Sequence, residues 1–156
     1  MTTSTKKQIA LELLAAAESG DAATSDRLTT DDFHFQFMQR LESWDGEDGK
    51  STTRINKADF INNGIKMVGD LTKAGMNFRV DLAIEEGDHV AIFGESNGES
   101  KAGKLYNNRY CWRFTFTGDK VSEFLEFCDT SHAHQQLFSG GWAEGPASAL
   151  CTPRYR

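Results

Sequence analysis

Apolar residues recur at helical spacing in the first third of the chain and at strand spacing in the last. From about Thr5 to Ser19, Ile9, Leu13, Ala16 and Ala17 fall on one helical face, with Ala10 and Leu14 beside them. Gly20 stops that helix, and Asp21 can cap a second, short one ending near Leu28. Phe33, Phe35 and Phe37 then alternate with His34, Gln36 and Met38, the period of a strand. The acidic, Gly-bearing segment between Ser43 and Ser51 reads as a loop. Asn56 is placed to cap a third helix, whose apolar face is Phe60, Ile61, Ile65, Val68 and Leu71 and whose end is Gly75.

Beyond that point the pattern is of strands. Phe78, Val80, Leu82 and Ile84 alternate with charged or small residues. Glu86-Gly87-Asp88 makes a turn into a strand over His89–Glu95, and Ser96-Asn97-Gly98 makes another turn. Two long strands follow, Leu105–Thr117 and Lys120–Cys128, and then a helical piece from Ser131 to Phe138. Helices first and a meandering sheet afterwards give an α+β fold in one domain, residues 5–138, with a Gly/Pro-bearing tail over 139–156.

The most specific local signal is Thr117-Gly118-Asp119-Lys120. Glycine at the first central position suits a type II′ hairpin, where φ must be positive. In direct register Trp112 lies opposite Leu125, Tyr110 opposite Phe127 and Asn108 opposite Asp129. One face of this hairpin is then apolar apart from Glu123. The other is mixed, setting Arg109, Cys111, Arg113 and Thr115 against Ser122, Phe124, Glu126 and Cys128. A bulge would exchange the faces beyond it.

Composition narrows the function. The chain has 156 residues, enough for one well-buried core. Eleven phenylalanines make it rich in aromatics. Its formal charge of −6, with no basic cluster beyond Lys6-Lys7, argues against a nucleic-acid partner. No apolar run approaches the roughly 18 residues of a membrane helix. The N-terminus mimics a signal peptide, but Glu12 interrupts its short apolar stretch, so it reads as a helix. Three cysteines, Cys111, Cys128 and Cys151, have no metal-binding spacing and suggest reduced thiols in the cytoplasm.

Two stretches carry a family resemblance: SGDAATSDRLTTDDFHF, Ser19–Phe35, and YNNRYCWRFTFTGDKVSEFLEFCDT, Tyr106–Thr130. The chain resembles the SnoaL-like and ketosteroid isomerase-related branch of the nuclear transport factor 2-like superfamily. That resemblance implies an α+β barrel or cone, with N-terminal helices on a curved mixed or antiparallel sheet. It further implies a conical small-molecule pocket and commonly a homodimer, and no cofactor is expected. The scaffold hosts isomerases, cyclases, dehydratases, epoxide hydrolases and plain binding modules, so it does not by itself fix an activity.

Candidate chemistry lies on the last hairpin. Asp129 resembles in position the acid/base aspartate of SnoaL-like polyketide cyclases, although Asp129, Thr130 or Ser131 can equally cap the following helix. Glu126 resembles the first acid in the closing motif of limonene-type epoxide hydrolases. With Arg109 and Arg113 as diagonal neighbours it would form a carboxylate–guanidinium cluster. A second Arg–Asp pair of those hydrolases has no match here. Asp129, Glu126 and Arg109 are therefore the catalytic candidates, and His34, Asn108, Tyr110 and Trp112 the candidate ligand contacts.

Asp31 and Asp32 read as part of the turn before the first strand, so an isomerase-type early base is not matched. His132 and His134 diverge on a helix and cannot chelate together, so no metal is expected. The expected function is binding of an apolar or polycyclic small molecule, with isomerisation, cyclisation or dehydration by proton transfer. A non-catalytic binding or dimerisation module and an epoxide hydrolase are the alternatives.

Overall fold

A computed structural model describes residues 5–37 and 54–138. The loop over 43–51 and the tail over 139–156 lie outside the described residues, as does Cys151. Helix α1 (Lys6–Ser19) opens with a capping box in which the Thr5 hydroxyl accepts from the Gln8 N–H and the Gln8 side chain accepts from the Thr5 N–H. It closes at Gly20 with φ of 74°, a left-handed cap that glycine adopts without a Cβ clash. Its buried face is Ile9, Ala10, Leu13, Leu14 and Ala16. Asp21 caps α2 (Ala22–Leu28) by accepting from the Thr24 N–H at 3.0 Å.

Strand β1 (Thr29–Phe37) buries Phe33 and Phe35 and turns His34 the other way. Asp31 and Asp32 lie inside this strand, exposed, and not in a preceding turn. After β2 (Arg54–Asn56), the Asn56 side chain accepts from the Asp59 N–H at 2.9 Å and starts α3 (Lys57–Asp59). The helix then widens through a π turn at Phe60–Gly64 and continues as α4 (Ile65–Leu71). At Gly64 a Cβ would come within 3.1 Å of the Phe60 ring and 3.2 Å of Ile55, so glycine lets those side chains close over the backbone. The helix ends at Leu71, four residues before Gly75. Thr72 is already extended, its hydroxyl bonded to the Val68 carbonyl and its backbone bridged to Ser100.

The sheet strands β3 (Arg79–Glu86) and β4 (His89–Glu95) form a hairpin, and β5 (Gly98–Glu99) pairs separately with β6 (Leu105–Tyr106). Strands β7 (Arg109–Thr117) and β8 (Lys120–Cys128) follow. The six-stranded order is β2-β1-β8-β7-β4-β3, with β1 and β8 parallel and the other pairs antiparallel. The sheet is mixed, curved and unclosed, with β2 and β3 at its edges. The expected single strand Leu105–Thr117 is broken at Asn107–Asn108, where the Asn108 side chain takes over backbone pairing. The short helix α5 (Thr130–Ala133) and a π turn at His134–Phe138 complete the described chain. Among the described residues, no helix is long and apolar enough to cross a membrane.

The hairpin register corrects the direct pairing expected from the turn. Thr117 pairs with Lys120 and Phe116 with Val121, but Thr115 then pairs with Glu123. Ser122 is an extra residue on β8, a bulge that shifts every later pair by one. Trp112 therefore faces Glu126 and not Leu125, and Tyr110 faces Cys128 and not Phe127. The inner face carries Tyr110, Trp112 and Phe114 with Phe124 and Glu126, packed toward Ile9, Leu13, Phe60 and Ile65 of the helices. The outer face carries a partly exposed apolar row, Leu82, Phe93, Cys111 and Phe127, in register across four strands.

Candidate functional site

The shifted register brings a carboxyl group into an aromatic wall. Along β8 the inward neighbours of Glu126 are Phe124 and Cys128; across β7 it pairs with Trp112, and across β1 with Phe37. The Trp112 indole N–H donates to Glu126 Oε2 at 3.1 Å. Burial among these groups pushes the Glu126 carboxyl up to about 7, and the indole hydrogen bond opposes that rise only in part. A carboxyl group poised there can give or take a proton at neutral pH.

Tyr110 stacks on Trp112 at 4.7 Å with planes 8° apart, and Phe78 meets both rings edge-on. The Tyr110 hydroxyl lies 2.8 Å from that of Tyr106 and 3.8 Å from Met76 Sδ. Burial raises both phenols well above the usual range, so they remain neutral. The Asn108 Nδ2 group donates to the Tyr106 hydroxyl at 2.9 Å and to the Asp129 carbonyl at 3.0 Å, while Asn108 Oδ1 accepts from the Asp129 N–H at 3.1 Å. Asn108 thus exchanges two hydrogen bonds with the Asp129 peptide as a strand residue would, which extends the β7–β8 ladder past its last backbone pair. Tyr110 and Asn108 are buried in this network.

Asp129 is exposed, and its carboxylate accepts from the His132 N–H at 3.0 Å, the geometry of a helix cap. Arg109 is also exposed, with its guanidinium 3.9 Å from Glu95 and not beside Glu126. Arg113 binds Glu123 at 2.6 Å. The expected diagonal cluster of Glu126 with the two arginines is not formed, because the bulge sends Glu126 inward while Arg113 stays outside. Of the catalytic candidates, Glu126 lies at the aromatic wall and joins Trp112 and Tyr110 there; Asp129 and Arg109 lie apart.

His34 belongs to a different cluster, on the outer face. Its Nε2 is 3.0 Å from Glu123 Oε1, and its Nδ1 is 3.0 Å from an Arg54 guanidinium nitrogen. A guanidinium can only donate, so Nδ1 accepts and the Nε2 hydrogen goes to Glu123. Glu123 also takes hydrogen bonds from Arg113 and Thr115. A separate surface depression of about 500 Å³ is lined by Asp26, Asp31, Asn56 and Lys57. Lys57 there is already held by the Asp26 carboxylate at 2.9 Å and by two backbone carbonyls. Among the described residues, no group of three or more His, Cys, Asp or Glu is arranged to hold a metal ion.

Sequence reasoning missed the Trp112–Glu126 contact and the Tyr106 link. The signal that could have found the first is Ser122: leaving it out of the alternation puts Val121, Phe124, Glu126 and Cys128 on one face.

Comparison with known proteins agrees with this architecture. The SnoaL-like domain family matches residues 10–124. An NTF2-like protein of Burkholderia thailandensis is 20% identical with a TM-score of 0.67, over 85% of this chain and 97% of its own. A SnoaL-like polyketide cyclase, so described provisionally, of Jannaschia sp. is 12% identical with a TM-score of 0.70, over 90% and 99%. TerC, crystallised with polyporic acid, is 18% identical with a TM-score of 0.68, over 86% and 98%. At these identities the likeness is one of fold. No protein of curated function matches the chain in sequence.

Proposed function

Starting from the fact that the chain belongs to the SnoaL-like domain family, we propose that it binds an apolar, polycyclic small molecule and moves a proton on it with Glu126. The observation that carries this reading is the Glu126 carboxyl on the inner aromatic wall, raised to about 7 by burial and bonded to a neutral indole. A group with that acidity can donate and accept at neutral pH, as isomerisation, aldol-type cyclisation or dehydration requires. Asp129, the other acid proposed from sequence, is occupied as a cap, which favours Glu126. An epoxide hydrolase reading would need a guanidinium beside the carboxylate. The arginines proposed for that place bind Glu95 and Glu123 instead.

The test is deuterium exchange into ligand C–H bonds in D₂O, followed by NMR over a panel of fused-ring ketones and phenols. Wild type should exchange at least one member, and Glu126→Gln should slow it on the order of 10²–10⁴-fold while still binding it. Exchange by Glu126→Gln at the wild-type rate, or no member bound by wild type, would overturn the reading.

We also propose a homodimer through the outer apolar row of Leu82, Phe93 and Phe127, all at least 40% exposed. Light scattering should give about twice the 17.4 kDa chain mass. A mass of one chain at micromolar concentration would remove the proposal.

A further inference from the structure

The indole of Trp112 was a candidate ligand contact, yet its side chain is fully buried and held from several directions. Tyr110 stacks on it, Phe78 meets it edge-on at 4.8 Å, and Gly94 lies close against its six-membered ring. A Cβ at Gly94 would come within 3.1 Å of Trp112 Cζ3 and would also collide with the Arg79 carbonyl oxygen, so that seat requires glycine. A ring so packed has one orientation, and its Nε1–H has one direction. That hydrogen points at Glu126 Oε2.

An indole N–H donates and never accepts. Oε2 is therefore an acceptor whether Glu126 is charged or neutral, and because a carbonyl oxygen accepts better than a hydroxyl oxygen, the indole favours the proton of neutral Glu126 on Oε1. Among the described residues Oε1 has no hydrogen-bond partner, so it is the oxygen left for a ligand. We propose that Trp112 is the positioning residue of this site, fixing the plane of the Glu126 carboxyl and reserving Oε1 as the oxygen that holds and hands over the proton. The proposal rests on the reading of Glu126 as the proton-transfer group.

Two measurements test it without a ligand. In wild type, the Trp112 indole N–H resonance should move with pH at the midpoint of the Glu126 carboxyl, and in Glu126→Gln that movement should vanish. In Trp112→Phe, which keeps an aromatic ring and removes the donor, the Glu126 midpoint should rise by about one pH unit, since a hydrogen bond favouring the charged form is gone. A purely structural tryptophan would shift neither. An indole resonance that ignores Glu126, or a Glu126 midpoint unchanged in a folded Trp112→Phe, overturns the proposal. The first measurement needs no change at Trp112, so it stands even where that variant fails to fold. Failure of the proton-transfer reading looks different: Glu126→Gln would exchange ligand at the wild-type rate while the indole response in wild type persists.

Discussion

Glu123 and Glu126 sit three residues apart on one strand and meet opposite fates. Glu123 points outward. Burial would raise it, but hydrogen bonds from Arg113, Thr115 and His34, with the Arg113 charge, outweigh that and lower it. Glu126 points inward, where burial has only one neutral N–H to oppose it, and its carboxyl rises to about 7. Two things separate them: Glu126 is packed more deeply among protein atoms, and its face supplies one neutral donor where that of Glu123 supplies three, one of them charged. A carboxylate with three donors is a structural anion. A carboxyl with one donor is a group that can change its protonation state at working pH.

That contrast can be broken by removing each charge in turn. Glu126 holds a proton in the folded state that the unfolded chain has already lost between about 4.5 and 7. Its raised value therefore makes the protein lose stability as pH rises through that window and level off above it. At 1.36 kcal/mol per unit the loss is about 3 kcal/mol at most. In urea titrations Glu126→Gln should lack this slope and be the more stable protein at pH 8 by up to that amount; a wild-type protein equally stable at pH 5 and pH 8 would contradict it. Glu123→Gln should act with the opposite sign and more weakly. It should cost about 1 kcal/mol near neutrality by stripping Arg113 of its anion. The lowered Glu123 value means its contribution disappears as pH falls below the ordinary carboxylate range. Wild type and Glu123→Gln should therefore converge in acid, and a gap that stays constant down to pH 3 would count against the assignment.

The smallest effect is expected from deleting Ser122. Without it, Val121 and Glu123 become neighbours in a regular hairpin, and the pairs Thr115–Glu123 and Trp112–Glu126 survive. Deletion should cost under about 1 kcal/mol, mainly the 3.2 Å hydrogen bond from the Ser122 hydroxyl to the Thr115 carbonyl. NMR titration should still find Glu126 high and Glu123 low. If the two exchange behaviour, the shortened strand has not kept the pairs Thr115–Glu123 and Trp112–Glu126.

The amino-acid sequence by itself determined the elements and their order. Thr5, Asp21 and Asn56 mark the helix starts, because a side-chain oxygen beside the first free N–H groups is a local matter. Gly118 marks the hairpin, because positive φ is local too. The alternation of phenylalanines marks β1, and the α+β class follows from the order of periods. Tertiary structure decided which acid enters the wall. A one-residue bulge at Ser122 carries almost no local signal, since either register keeps apolar residues on both faces, yet it reverses every side chain beyond it. The choice is made by packing: with the bulge, Phe124 stacks on Phe114 at 4.4 Å and meets Phe35 and Phe60 in the core. Burying those rings outweighs the cost of turning one carboxyl inward, where a distant tryptophan, reachable only across the strands, supplies its single hydrogen bond.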